Sequence, residues 1–217
     1  MNEIRRVDYQ SEPLGDDDVA GTPVAQFRLW LTHAAAAGIE EPNAMAVATV
    51  DEHGQPHVRT ILCKEVTDQG FVFFTNYDSD KGRQLDVNPH IGLCFHWQPQ
   101  HRQVRVTGLA YRIPEPESDA YFQSRPRGAQ LGAWASPQSQ IIPSRDYLRD
   151  QLAGAEQRFT DQVPRPPHWG GYLVVADSVE FWQGQPSRLH DRLRFTARGD
   201  SHDLNDPHAW YVQRLAP

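Results

Sequence analysis

The strongest constraint on how this chain can fold is the spacing of its turn signals between Asn43 and Arg112. Ala44–Val50 is a short apolar run, Asp51-Glu52-His53-Gly54-Gln55 reads as a turn, and His57–Lys64 alternates in character. Asp68-Gln69-Gly70 turns the chain again before Phe71–Thr75. Gly, Asn and Asp supply the backbone conformations and local hydrogen bonds that tight reversals need. Runs this short, reversed this often, pair as antiparallel hairpins. Ile91–His96 and Gln103–Arg112 form another such pair. Gly171–Ala176, Val179–Trp182, Leu193–Thr196 and Trp210–Leu215 complete the β set. Short strands leave unpaired edges, and closure removes them. The expected fold is therefore mainly β with flanking helices (α+β), an antiparallel barrel of six or more strands.

The helices are signalled locally. Thr22 followed by Pro23 is a cap with proline at the first helical position. Val24, Phe27, Trp30, Leu31 and Ala34 follow at helical spacing, and Gly38 is a stop. Ser79 is placed to cap a short helix through Leu85. Further helices are expected over 116–123, 127–134 and 144–159, and Pro164-Arg165-Pro166-Pro167 reads as a rigid surface crossing. Residues 1–20, polar and acidic, are expected to be a mobile segment preceding a single domain over 21–217.

Net charge is −7, from 28 acidic and 21 basic residues. That argues against nucleic acid as a partner. No apolar run is long enough to span a bilayer, and no apolar stretch follows Met1–Arg6 as a signal peptide would require. Cys63 and Cys94 lie in strand-like apolar runs and read as buried thiols of a reducing compartment, without zinc-site spacing. We therefore expect a cytoplasmic protein with no membrane partner and no metal. There is no Gly-rich phosphate loop, so an anionic cofactor would have to be held by side chains. Arg59, Lys64, Lys81, Arg125, Arg127, Arg188 and Arg192 all fall in or beside motif-like segments. Gathered cations in an acidic protein point to a small anionic ligand such as a phosphate ester.

Each segment also has a plainer reading. Arg59 and Lys64, an odd number of residues apart on a strand, face opposite sides, as ordinary surface charges also would. Ser79 with Lys81, at a strand-to-helix junction, can receive a phosphate, but a simple N-cap needs no ligand. Tyr121 and Arg125 share a helix face, and Pro126 requires the helix to end near Ser124. Gln130–Ser139 mixes small residues and amides suited to a flat ring, or to a helix end packed by Trp134. In Arg188-Leu189-His190-Asp191-Arg192, an extended backbone would place Arg188, His190 and Arg192 on one side, neighbours about 6–7 Å apart, and Leu189 in the core. A solvated strand face is the alternative there. His190 is the best acid–base candidate.

Taken together these segments resemble the pyridoxine/pyridoxamine 5′-phosphate oxidase family, from about Asn43 to Pro217. Four blocks carry the resemblance: Arg59–Lys64; Phe73-Phe74-Thr75-Asn76 through Lys81; Tyr121 through Gln138-Ser139; and Glu180-Phe181-Trp182-Gln183-Gly184 through Arg192. The ending Arg214-Leu215-Ala216-Pro217 is also similar. The resemblance implies a Greek-key split barrel that binds FMN at a homodimer interface. It implies oxidation of pyridoxine or pyridoxamine 5′-phosphate to pyridoxal 5′-phosphate, with O2 as acceptor and H2O2 as product. Arg59, Lys81 and Ser139 would contact the FMN phosphate or ribityl chain. Thr60, Ile61, Leu62, Lys64, Phe74, Thr75, Gln103 and Gln138 would be further flavin contacts, with Trp182 and Arg192 reaching in from the partner subunit. Lys64, Tyr121 and Arg125 would clamp the substrate phosphate, and Arg188 and His190 would be the catalytic residues over the pyridine ring. Arg5, Arg6 and Tyr9 resemble a family segment that folds over the site.

This chain departs from the family pattern at Phe74, where a tyrosine is common, at Asp80, where a basic residue is common, and at Ala129, where a serine is frequent. A carboxylate at Asp80 is acceptable if it faces solvent or serves the helix N-terminus. The alternatives are a related split-barrel flavoenzyme of the phenazine-pathway type and a non-catalytic FMN- or pyridoxal-phosphate-binding protein.

Overall fold

The computed structural model describes residues 8–16 and 18–217. Helix α1 (Pro23–Ala36) begins as its sequence dictates: Thr22 Oγ1 accepts from the Ala25 amide at 3.3 Å, and Pro23 occupies the first turn. Its Val24, Phe27, Trp30 and Ala34 stripe is buried in the barrel core, and Gly38 follows with φ +78°.

Among the described residues nine strands form one antiparallel sheet: β1 (Ala44–Val50), β2 (Pro56–Leu62), β3 (Glu65–Val66), β4 (Phe71–Asn76), β5 (His90–Trp97), β6 (Arg102–Arg112), β7 (Trp169–Gln183), β8 (Asp191–Ala197) and β9 (Trp210–Arg214). The order is β2-β1-β5-β6-β7-β4-β3, with β8 also on β7 and β9 on β8. β4 skips β5 and β6 to pair with β7, the Greek-key step of the sheet. Helix α2 (Asp80–Val87) connects β4 to β5; α3 (Glu115–Ser124), α4 (Arg127–Ala135) and α5 (Arg145–Arg158) fill the connection between β6 and β7.

β7 turns the sheet into a split barrel. Its first half, through Val174, pairs with β4, while Ser178–Gln183 pairs with β8. The break expected between Ala176 and Val179 is a bulge within one continuous strand: Thr107 pairs with Ser178 but Gly108 with Ala176, leaving Asp177 over. An extra residue bends a strand and raises its twist. Gly108 is required there, since a Cβ would lie 2.0 Å from the Val175 carbonyl oxygen.

Alternating inward residues fill the barrel with Phe71, Phe73, Phe95, Trp97, Phe181 and Phe195, joined by Phe27 and Trp30 of α1. Each such ring contributes about 1.5–3 kcal/mol by leaving water. A second cluster, Phe122, Leu131, Ala155, Val163 and Trp169, lies under α3–α5 and fixes those helices beside β4. Cys63 is buried, and desolvation pushes its thiol up to about 12; Cys94 is only half-buried, so the expectation of two buried thiols holds for the first alone.

The largest departure from the sequence reading concerns residues 188–192. Pro186–Arg188 is a single 3₁₀ turn, and β8 begins only at Asp191. Ser187 and Arg188 have φ of 56° and 62°, so Arg188, His190 and Arg192 do not form an extended ladder. Leu189, expected in the core, is 71% exposed. Among the described residues no helix is long and apolar enough to cross a membrane.

Candidate active site

The sequence-predicted site residues fall into two groups, which occupy different parts of the fold. The first gathers where β2, β4, α2, α3 and α4 meet, around a cavity of about 580 Å³. At one side stands the start of α2. Ser79 accepts from the Gly82 amide at 3.4 Å, so it is the cap, and Lys81 folds back over it. Lys81 Nζ donates to Thr75 Oγ1 at 3.0 Å, Ser79 Oγ at 3.1 Å and Gln138 Oε1 at 2.8 Å. None of these acceptors carries charge. Burial, and then the neighbouring Arg59, pull the Lys81 ammonium down to about 8.

Arg59 lies behind it, off the cavity wall. It donates to Thr49 Oγ1 at 2.6 Å and Gln84 Oε1 at 3.1 Å, again to uncharged acceptors, and burial lowers its pKa. Asp80 turns away to solvent and pairs with Arg83, the orientation in which a carboxylate at this position is tolerable. It also sits in the first turn of α2, where negative charge is favoured.

At the other side of the cavity, α3 ends at Ser124 and Arg125 is already extended, as Pro126 demands. The Arg125 guanidinium lies 4.6 Å over the Trp169 ring, and its buried Nη1 has no hydrogen-bond partner among the described residues. Desolvation lowers its pKa, as burial does for an uncompensated cation. Tyr121 stacks on Phe74 with centroids 3.8 Å apart and planes at 14°. Phe74, lacking a hydroxyl, is therefore one layer of an aromatic stack that continues to Trp169. Lys64, exposed, and Ile61 complete that side, and Ala129 lines it.

Thr75 and Gln138 thus face the same space as Lys81 and Arg125. Thr60 and Leu62 alternate away from it on β2, and Ser139 is exposed beside Gln138 with φ +69°. The sequence reading passed over Trp169, although it holds both the aromatic stack and Arg125; its position at the start of a long strand gave no sign of that.

The second group lies on β6, β7 and β8. Gln103, Trp182 and Arg192 are paired in register across the three strands. The His190 ring lies 4.7 Å from Trp182. His190 Nδ1 accepts the Gln185 amide at 3.0 Å, so in the neutral ring the proton sits on Nε2, which remains a donor. Arg188 is exposed on its left-handed turn, where two consecutive non-glycine residues store roughly 1–3 kcal/mol each. Arg192 is held by Glu180, a buried carboxylate that also receives Arg105. Within the motif Glu180–Gly184 the sequence alone assigns Glu180 no role. Its place two residues before Trp182 on an alternating strand was the available signal. Gln103, Trp182, Arg188, His190 and Arg192 do not line the first cavity. Arg5 and Arg6 lie outside the described residues; Tyr9 packs on His101 and reaches His190.

An antiparallel split barrel whose cleft gathers the buried Lys81 and the half-buried Arg125, with no carboxylate pairing with either among the described residues, is suited to binding small anionic molecules. Residues 31–159 match the family model described as "Pyridoxamine 5'-phosphate oxidase", and residues 169–217 match "Pyridoxine 5'-phosphate oxidase C-terminal dimerisation region". The chain belongs to the pyridoxamine 5′-phosphate oxidase family. It is 53% identical over 213 residues to a pyridoxine/pyridoxamine 5′-phosphate oxidase of Synechocystis sp., covering 98% of this chain and 96% of that one. Its identity to the protein of that name from Ralstonia pickettii is 50%, over 98% and 97% of the two chains. Among solved structures it is similar to PhzG from Burkholderia lata in complex with tetrahydrophenazine-1-carboxylic acid, with TM-score 0.86, 29% identity, and 95% and 99% coverage. A pyridoxamine 5′-phosphate oxidase-related, FMN-binding protein from Nostoc punctiforme shares the fold at TM-score 0.67 and 20% identity, over 88% and 97% of the two chains.

Proposed function

We propose that this protein is an FMN-dependent oxidase that converts pyridoxine 5′-phosphate and pyridoxamine 5′-phosphate to pyridoxal 5′-phosphate. The observation that carries the reading is the charge of the 580 Å³ cavity: Lys64, Lys81 and Arg125 line it, with no carboxylate among the described lining residues. Buried cations without counter-ions are costly unless an anion completes them. The orphaned Arg125 Nη1 and the desolvated Lys81 are therefore suited to phosphate groups, and the donor set fits both a flavin mononucleotide and a phosphorylated substrate.

In this reading Lys81 and Arg59, with Ser139, hold the FMN phosphate and ribityl chain, helped by Thr75, Gln138, Gln103 and the 60–62 backbone. Lys64, Tyr121 and Arg125 hold the substrate phosphate. When bound, FMN would supply the acceptor for a hydride from the C4′ carbon and pass the two electrons to dioxygen as hydrogen peroxide, the amine substrate in addition taking up water and releasing ammonia. The chain's own contribution is to align and polarise. His190 presents its Nε2 proton as a donor, Arg188 adds a cation, and Arg192 is preset by Glu180. Assembly as a homodimer supports the reading, because Trp182, Arg188, His190 and Arg192 lie away from the cavity of their own chain. A partner could bring its copy to that cavity, with FMN between the subunits.

The phenazine-pathway alternative requires no phosphate clamp, and the uncompensated Arg125 favours the B6 phosphate ester. The test is anaerobic addition of pyridoxine 5′-phosphate to the purified yellow protein. Bleaching of the flavin that reverses on admitting air supports the oxidase, and a flavin that stays oxidised would sink it.

A further inference from the structure

Residues 8–16 cross the end of the barrel that carries Trp182 and His190, and they are tied there at several points. The Asp8 carboxylate accepts from the Ser187 amide at 3.1 Å, and Gln185 Nε2 donates to the Glu12 carbonyl at 3.1 Å. The Tyr9 ring lies on His101 with centroids 4.3 Å apart and reaches His190 at 5.7 Å. Its seat requires Gly184, where a Cβ would fall 2.8 Å from the ring. Leu14 is buried in the main core, and its amide donates to Asp191 Oδ2 at 3.0 Å.

The root of this strap is gripped by one side chain of the last strand. Arg214 Nη1 donates to Asp191 Oδ1 at 2.7 Å. Its Nε and Nη2 donate to Asp16 Oδ1 at 3.0 and 2.6 Å, and Nη2 also reaches the Leu14 carbonyl at 2.8 Å. A planar guanidinium can satisfy such divergent partners at once, which an ammonium cannot. A single exposed ion pair contributes little. Here, however, one group joins the strap, the first residue of β8 and the last residue of β9. Asp191, the residue it grips, directly follows His190 at the end of a turn whose Ser187 and Arg188 have left-handed backbone.

We propose that Arg214 is a positioning residue: by clamping the strap root to Asp191 it holds the 184–191 turn, and with it Arg188 and His190, in a working conformation without itself touching the ligand. The proposal rests on the reading that Arg188 and His190 serve the substrate. The strap contacts and the latch are one unit, so loosening Arg214 should loosen both the strap and the turn.

The test compares the FMN-loaded protein with its Arg214→Ala, Arg214→Lys and Asp16→Asn variants, using amide hydrogen exchange and steady-state kinetics with pyridoxine 5′-phosphate. In Arg214→Ala, exchange in residues 8–16 and 185–190 should rise by about tenfold or more, as for a segment losing its tertiary anchors. KM should rise several-fold at unchanged flavin content, with Arg214→Lys intermediate. Unchanged exchange at 185–190 would overturn the proposal, even if the strap loosens, because the latch would then not reach the turn. Should Arg214→Ala fail to fold, Asp16→Asn, at a side chain 74% exposed, decides by the same readouts. Failure of the wild-type flavin to bleach would instead defeat the oxidase reading, and exchange would then judge the latch alone.

Discussion

Glu180 holds Arg192 through both carboxylate oxygens: Oε1 accepts Nε at 2.9 Å and Oε2 accepts Nη2 at 3.1 Å. The pair is unequal in exposure, with the Glu180 side chain 5% exposed and that of Arg192 24%. Burial alone would raise the Glu180 carboxyl, but the hydrogen bonds from Arg192 and Arg105 outweigh it and hold the group below the usual carboxylate range. A flexible arginine on β8 is thereby reduced to one orientation before any ligand arrives.

Glu180→Gln should therefore destabilise the protein by about 1.5–3 kcal/mol, the range for charge-assisted hydrogen bonds. For a chain of this size that lowers Tm by roughly 3–12 °C. The sign with pH follows from the depressed pKa. The carboxylate's contribution is present above its ordinary value of 4.5 and is lost as pH falls through the folded-state value. Thermal melts of both proteins from pH 7 to pH 3 should converge at the acid end, and a gap that stays constant would refute the assignment.

Lys81 titrates close to physiological pH because it is desolvated beside Arg59. A bound phosphate would favour its charged form. FMN binding to the apoprotein should thus be flat from pH 6.5 to 7.5 and weaken as pH rises through about 8. Lys81→Met should weaken binding by about 10- to 150-fold, the loss of one charged hydrogen bond, and remove the pH dependence. Quenching of flavin fluorescence on titration measures both. An alkaline limb that persists in Lys81→Met would assign it to another group.

How much of this was legible in the sequence depended on the range of the interaction. Thr22-Pro23, Ser79 and the arrest of α3 before Pro126 are set by neighbours within a few residues, and each lies where the residues place it. Strand β1 matched its apolar run, since a period of two is a local property. The 186–190 turn was not legible, because Ser187 and Arg188 are non-glycine residues held in left-handed backbone by contacts that include Asp8, 179 positions away. The continuity of β7 was hidden for a related reason: Asp177-Ser178 reads as a terminator, while the partner strand turns it into a bulge. In the site, residue types located the cations, but only the side-chain hydrogen bonds of the paired β7 and β8 show that Glu180, which stands opposite Arg194 in the register, reaches diagonally to Arg192.

Arg125 offers a separation of substrate from cofactor. Its guanidinium is fixed over Trp169 at 4.6 Å with Nη1 unpartnered among the described residues, and Lys81 is not among its contacts. Arg125→Ala should raise KM for pyridoxine 5′-phosphate by roughly 10- to 150-fold, one charge-assisted contact, and leave FMN affinity within about threefold. Steady-state kinetics with a parallel flavin titration would check this. A variant purified without flavin would move Arg125 from the substrate to the cofactor.

The last prediction concerns the bend that separates the two groups of site residues. A methyl group at Gly108 would lie 2.0 Å from the Val175 carbonyl oxygen and 2.9 Å from the Ala176 Cα. Both obstacles are backbone, so neither can rotate away. Gly108→Ala must push β6 from β7 at the bulge where β7 passes from pairing with β4 to pairing with β8. Overpacking of this kind costs about 1–3 kcal/mol, which urea denaturation would read as a lower midpoint at unchanged slope. Moving β6 also carries Gln103 relative to its β7 partner Trp182 and to the Lys81 end of the cavity, so FMN affinity should fall along with stability. Gly128→Ala, in α4 with no atom within 4 Å of the added carbon, should by contrast leave affinity unchanged and stabilise slightly through helix propensity. A Gly108→Ala protein with wild-type midpoint and affinity would show that the bulge has room to relax and does not set the site geometry.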